Sequence, residues 1–453
     1  MTGLRLTLYR AAWVLPVAAE PIRDGALLVD ADGRIAAVGP SLAIEPPMDA
    51  DVVELGDAAL MPGLVNVHAH PELALFRGAL EDLCFRDWIL RLVGAKRAAL
   101  TDADYQVAAR WTMVEALRSG ITTLAATESS GASAAALCES GLRGVVYQEV
   151  FGPDPVQAEG AMLDLRAGVE ALREMECDRV RIGISPHAPY TVSDELFRLA
   201  GDYAVAEGLP VAVHASESIV EHQLVSAGEG DFAPGLRARG IATPPRGRST
   251  VEMLDRLGVL RARPLLIHCV MLDTDDMRRV ADTGSSIAHC PVANARLGHG
   301  LAPYPEMVAA GVRVGLGTDS VGSNNRLDLL EEARIASILH RARQARCDLL
   351  RPGDLLRLCT LDGARALGME DRIGTLEPGK DADFCAVSLR APHVLPVHDP
   401  AAAVFHAARG CDVVLTAVQG RILYRDGALS TLDPARLLPA LDDGAARLRR
   451  ALA

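Results

Sequence analysis

LMPGLVNVHAH, residues 60–70, is an apolar, β-branched run that stops at two histidines one residue apart. Such a run reads as a strand buried on both faces, as in parallel sheets. Residues i and i+2 of a strand point to the same side, so His68 and His70 can reach one point together. Further short apolar runs follow near 121–127, 143–151, 179–186, 210–215, 264–269, 285–291 and 312–318, with helical stretches such as 102–118 and 190–207 between them. Strands alternating with helices predict an α/β fold, and eight such units over about 310 residues predict a (β/α)8 TIM-type barrel. An open doubly wound sheet is the alternative, because periodicity alone does not close a barrel.

The flanks differ in style. GALLVDADGRIAAVGP (25–40) is two apolar runs joined by an Asp-Gly turn, a hairpin signal. GTLEPGKDADFCAVSL (374–389) and LTAVQGRILYRDGAL (415–429) return to strand and turn. The expected organisation is residues 1–58 as the first half of a small β-sandwich, 59–370 as the barrel, and 371–453 as the second half plus a C-terminal helix. One Gly/Pro/Arg-rich stretch, 228–249, follows the fifth strand and reads as a long loop. Its arginines 237, 239, 246 and 248 make it a candidate lid for an anionic substrate group, with a solvated surface loop as the plainer alternative.

Composition narrows the class. Hydrophobic residues are 49% of the 453, enough for a large core. The net charge of −13 disfavours binding to phosphate backbones, so no nucleic-acid partner is expected. No apolar run reaches the roughly 18 residues that span a bilayer. The opening MTGLRLTLYR lacks the long apolar core of a signal peptide. A soluble cytoplasmic protein, with no membrane partner, is expected. The nine cysteines are scattered, odd in number and lack C-x-x-C, which suits free thiols. A homodimer is the expected assembly.

Barrel enzymes place chemistry where strands end and βα loops begin. The first run ends in His68 and His70, the fourth in His187, the fifth in His214 and Glu217, the sixth in His268 and the eighth in Asp319. A lone histidine ending an apolar strand is more often a hydrogen-bonded structural residue than a ligand. An aspartate after Gly-Thr is more often a turn or cap. The constellation differs, because five of the twelve histidines, with an Asp and a Glu, fall on the same ends of five strands. Imidazoles plus one carboxylate suit zinc, and iron(II) nearly as well. The only lysines are Lys96 and Lys380, and neither lies at the fourth strand, so no lysine carbamate can bridge two ions there. One divalent ion is the economical expectation. Of the remaining histidines, His289 and His299 stand out as the two to follow.

These motifs resemble the amidohydrolase superfamily, closest in its branch of cytosine and guanine deaminases, triazine hydrolases and adenosine-derivative deaminases. MPGLVNVHAH, SPHAPYT, HASES, IHC, HCPVAN and GTDSVGSNN occur in the family's order, and GTLEPGKDADF matches the segment that closes its β-sandwich. The resemblance implies that His68, His70, His214 and Asp319 bind the metal. It implies that Glu217, His268 and Asp319 serve catalysis, and that His187, Trp88, Ser323 and Glu149 meet the substrate. Trp88 has ordinary packing as an equal alternative. The implied activity is hydrolytic removal of ammonia from an aminated nitrogen heterocycle. Glu217 would protonate the ring nitrogen beside the attacked carbon, and His268 would orient the water. Other zinc nucleobase deaminases use P-C-x-x-C, which this chain lacks. GLRGVVYQEVFG (141–152) and the insert resemble a subgroup that deaminates 6-aminodeoxyfutalosine, the leading specific substrate. FRDW (85–88) departs from the usual segment of adenosylhomocysteine deaminases. Guanine or cytosine deamination and triazine dechlorination remain alternatives. A non-catalytic interaction barrel is a remote one, because the implied ligand set is intact.

Overall fold

The computed structural model describes residues 5–45 and 47–453. Eight parallel strands carry the centre: β1 (Leu64–Ala69), β2 (Ile121–Glu128), β3 (Arg143–Val150), β4 (Val180–Pro186), β5 (Ala212–Ala215), β6 (Leu265–His268), β7 (Ser286–His289) and β8 (Arg313–Leu316). They pair in chain order as two four-stranded sheets, β1 to β4 and β5 to β8. A bridge between Ile184 and Val211 links the two sets. At the other side the Asp319 amide donates to the His68 carbonyl at 3.0 Å. Gly315 lies so close to β1 that a Cβ there would sit 2.7 Å from Val67 Cγ1. The strands are short, β-branched and buried along almost their whole length, as parallel strands covered on both faces must be. Val65, Val67, Val145, Tyr147, Leu265 and Ile267, drawn from both sheets, pack together in one core.

The run 60–68 is not one strand. Ala58–Pro62 belongs to the sheet formed by the termini, where it pairs antiparallel with Phe384–Ser388. β1 begins only at Leu64. Pro62 has no amide to donate, and Gly63 is pressed against Thr122, whose Oγ1 would lie 2.1 Å from an added Cβ. The dipeptide breaks the strand and lets the chain pass between sheets.

The terminal sheet has nine strands, five of them within residues 7–62 and four within 384–429. Ile22–Val29 and Ile35–Pro40 form the expected hairpin, and Asp30 Oδ1 closes its turn by accepting from the Asp32 and Arg34 amides, both at 2.9 Å. The sheet has its own core, with Tyr9 meeting Phe384 edge to face at 4.8 Å. Buried Arg143, at the start of β3, ties this unit to the centre through Asp381 and Asp383, each at 2.8 Å. The C-terminal helix Pro434–Leu452 packs on Asp102–Arg118 and pairs Arg447 with Asp104. Among the described residues no helix is long and apolar enough to cross a membrane.

The insert at 228–249 folds into a helix, Ala233–Ala238, and turns its arginines to structure. Arg237 donates to the Gly228 carbonyl and to Thr243, and Arg248 pairs with Asp273 and Asp276. Half-buried Arg246 holds Asp194 and the carbonyls of Pro189 and Val192. Three of the four guanidiniums thus find acceptors within the protein, that of Arg246 largely buried and those of Arg237 and Arg248 at the surface.

Candidate active site

The strand ends named by the sequence converge on one point. His68, His70 and His214 place one ring nitrogen each within 4.8 Å of one another. Asp319 Oδ1 lies 3.4 Å from His68 Nε2 and 3.5 Å from His70 Nε2. Register between β1 and β2 shifts between Asn66 and Ala69, so the pleat breaks where the two histidines turn inward. Ser216, His268, Cys269 and Asp319 all have φ between 50° and 75°. Left-handed backbone at non-glycine residues costs energy and persists where surrounding structure demands it. Here it turns the side chains at the ends of β5, β6 and β8 toward one another.

Hydrogen bonds fix how each ring faces. His214 Nδ1 lies 3.3 Å from the His187 carbonyl, which can only accept, so the lone pair is on Nε2. His68 Nδ1 meets Thr127 Oγ1 at 3.2 Å, and its buried Nε2 has no hydrogen-bond partner. His214 Nε2 and His70 Nε2 face each other at 3.3 Å. Burial first, and the neighbouring imidazoles next, hold His70 and His214 well below the ordinary histidine range. Burial would raise the Asp319 carboxyl, but His68 foremost, then His268 and His70, hold it well below the carboxylate range. Imidazole nitrogens that converge in this way, beside a carboxylate held ionised, are a donor set that fits a divalent cation. Ser323 Oγ donates to Asp319 Oδ2 at 2.8 Å and the Ser320 amide to Oδ1 at 2.7 Å. Ser323 is thus turned to Asp319.

Glu217 sits beside this point. Its Oε2 accepts from Tyr190 Oη at 3.2 Å, and Oε1 lies 3.5 Å from His268 Nε2. His268 Nδ1 donates to Asn294 Oδ1 at 2.9 Å, which leaves Nε2 to face the site. Burial would raise the Glu217 carboxyl, yet His268 and then His299 hold it below its usual value. Buried Glu221 accepts from the Ser216 and Glu217 amides at 2.7 and 3.0 Å, shaping the turn that presents Glu217. On the far side His187 donates or accepts at Thr191 Oγ1, 2.7 Å away. Its Nε2 lies 3.9 Å from Glu149 Oε1, a buried oxygen with no hydrogen-bond partner. Burial, reinforced by Glu72, pushes the Glu149 carboxyl up to about 8. Lys96, from the helix Phe85–Ala99, pairs with Glu72 at 2.6 Å. Trp88 is 8% exposed and packs among Phe76, Phe85 and Tyr190, its indole N–H donating to the Gly322 carbonyl at 3.3 Å. That contact braces the loop after Asp319.

Tyr190, Asn294, Glu221, Thr127 and Lys96 were not singled out from the sequence. Tyr190 sits inside SPHAPYT and Asn294 inside HCPVAN, so position within a motif was the available signal. Lys96 and Glu72 gave none, since their partnership joins a helix to the loop after β1.

Fold and cluster together define a class: an α/β protein whose imidazoles and carboxylates gather at the carboxyl ends of parallel strands. Residues 59–423 match the amidohydrolase family, and the chain belongs to it. It is similar to the 5-methylthioadenosine/S-adenosylhomocysteine deaminase of Moorella thermoacetica, 34% identical over 425 residues, covering 93% of this chain and 94% of that protein. It is similar to the 5'-deoxyadenosine deaminase of Methanothermobacter thermautotrophicus, 34% identical over 432 residues, covering 94% and 95%. Among solved structures, a zinc-bound adenosine deaminase from Xanthomonas campestris superposes with a TM-score of 0.87 at 28% identity, covering 98% of this chain and 99% of that one.

Proposed function

We propose that this protein deaminates an adenosine derivative, replacing the exocyclic amine of the purine with oxygen and releasing ammonia. The observation that carries the reading is Glu217 held against His268 beside the converging donors of His68, His70, His214 and Asp319. The names of the two relatives above support the nucleoside class and a modified 5' position. We further infer that the two four-stranded sheets close as a (β/α)8 barrel, the arrangement that brings Asp319 beside His68.

His68, His70, His214 and Asp319 would hold one divalent ion, zinc or, with the same ligands, iron(II). That ion would supply a water acidified from about 15.7 toward about 7. Asp319, kept ionised, would accept a proton from the attacking water and deliver it to the departing amine. Glu217 would carry a proton to the ring nitrogen beside the attacked carbon, making the ring an electron sink. His268 Nε2, oriented by Asn294, would align the water and stabilise charge on the oxygen. His187 and unpartnered Glu149 Oε1 would meet polar groups remote from the purine.

The test is ammonia release with metal content measured on the same protein. The panel is 5'-deoxyadenosine, methylthioadenosine, adenosylhomocysteine, adenosine, 6-aminodeoxyfutalosine, guanine, cytosine and a chlorotriazine. We expect an adenosine derivative to give the highest kcat/KM. 6-Aminodeoxyfutalosine is included because residues 141–152 resemble a subgroup that deaminates it. Turnover confined to guanine, cytosine or the triazine would overturn the reading.

A further inference from the structure

His299 has no part in the chemistry proposed above, yet it faces Glu217. It stands on the loop after the short helix Pro291–Arg296, which follows β7. Its side chain is 3% exposed and its Nε2 lies 3.4 Å from Glu217 Oε1. That nitrogen is buried and has no hydrogen-bond partner within ordinary limits. Leaving a buried polar atom unpaired costs stability, so such an atom calls for an explanation.

Its surroundings hold the ring in this pose. The His299 amide donates to the Asn294 carbonyl at 2.9 Å, while the Asn294 side chain orients His268. One residue thereby sets both imidazoles that approach Oε1. Phe85 meets the His299 ring at 84° with centroids 4.4 Å apart. Phe85 also meets Tyr190 and Phe232, and Tyr190 stacks on Phe232 at 4.4 Å. Phe232 belongs to the insert after the fifth strand. The insert thus buttresses the two groups, Tyr190 and His299, that approach opposite oxygens of Glu217.

We propose that His299 is a positioning residue for Glu217. Its Nε2–H closes on Oε1 while Tyr190 Oη–H holds Oε2, and together they fix the plane of the carboxyl group that delivers a proton to the ring. A group fixed in this way delivers its proton without a search over rotamers. The inference rests on the deamination proposed above.

The experiment compares H299L, H299Q and H299N with the wild type, each assayed for metal content, kcat, KM and thermal unfolding. Gln reaches about as far as Nε2 and keeps an N–H there, and Asn does not. H299L should keep its metal and lower kcat by about 30-fold or more, with KM within about threefold. H299Q should recover at least about tenfold over H299L and H299N. Affinity for a coformycin-type nucleoside, whose ring N–H must meet Glu217, should fall in parallel with kcat, while affinity for the inosine-type product holds. In an E217Q background H299L should add less than about threefold. If H299L does not fold, the H299Q-to-H299N ratio decides. Wild-type kcat in H299L, a loss confined to KM, equal rates in H299Q and H299N, or full additivity with E217Q would each overturn the positioning role. A wild type that deaminates no adenosine derivative would instead overturn the function on which it rests.

Discussion

At the scale of single residues, the site divides into groups that would bind, groups that would move protons and groups that hold both in place. His68 is buried with an empty-handed Nε2 and with Thr127 on its other nitrogen. H68A should therefore lose metal and turnover together, read by elemental analysis beside ammonia release; activity surviving without metal would refute the ligand role. Glu217 makes a different prediction. E217Q preserves shape and most contacts but cannot carry the proton, so metal content should stay near one ion per chain while kcat drops by about 10²-fold or more. Near-normal turnover at full metal occupancy would leave Glu217 as a mere brace for the turn. The residues behind both predictions were legible because they end apolar strands, where a polar side chain has no packing reason to be. Their supports were not. Asn294, Tyr190 and Glu221 sit in loops or first helical turns, where polar residues are ordinary, and only the fold brings them within 3.2 Å of His268, Glu217 and the Glu217 amide. The polar atoms of Trp88 and Ser323, expected at the substrate (Trp88 with packing as an equal alternative), bond Gly322 and Asp319. Sequence spacing fixes which end of a strand a residue occupies, and not which neighbour its last torsion selects.

At the scale of elements, the eight parallel strands lie where their apolar runs lie, because burial on both faces leaves a continuous signal. The first run misled at one point. Apolar character continues through Pro62–Gly63, so hydropathy cannot see that the strand changes sheets there. In the insert, Gly, Pro and Arg suggest a solvated surface loop or a lid, and Arg246 crosses to the N-terminus of the helix Asp194–Glu207 and lies over Phe197 at 5.9 Å. It also satisfies two carbonyls, of Pro189 and Val192, on the segment that carries Tyr190. R246A should destabilise the protein by about 2–4 kcal/mol, because several acceptors lose one charged donor at once. R239A, exposed on the same insert, should change stability by less than about 0.5 kcal/mol. Urea unfolding of the two variants separates them, and equal effects would mean that the insert does not brace the segment beneath it.

At the scale of the whole molecule, burial sets titration in two opposed directions, and stability should follow. Burial foremost pushes Glu128, Glu149 and Glu332 up to about 8 and Glu221 up to about 7. A carboxyl raised from 4.5 binds its proton more tightly folded than unfolded, so its contribution is complete below about 4.5 and is lost as pH rises through about 8. Burial acts oppositely on histidine, lowering His187 and His340 to about 4 and His289 well below its usual value. Their contribution is complete above about 6.5 and is lost as pH falls through about 4. Above about 6.5 the raised carboxyls still change and stability falls, whereas below about 4.5 the histidines, joined by the depressed carboxyls of Glu217 and Asp319, lose their contributions and stability falls again. The maximum should lie between these values. Glu332 reports on the alkaline limb, since it is none of the inferred metal ligands and holds the Val292 amide at 2.9 Å and Asn324 Nδ2 at 2.8 Å. E332Q removes one acceptor at every pH, so it should be less stable than the wild type in acid. It has no charge to bury, so the deficit should shrink by on the order of a few kcal/mol between about pH 5 and 8.5. The measurement is the free energy of urea unfolding of both proteins across that range, with and without added zinc. A difference that narrows with rising pH in both series is the expected result. Parallel curves would show that Glu332 titrates near its unfolded value and that the alkaline loss has another source.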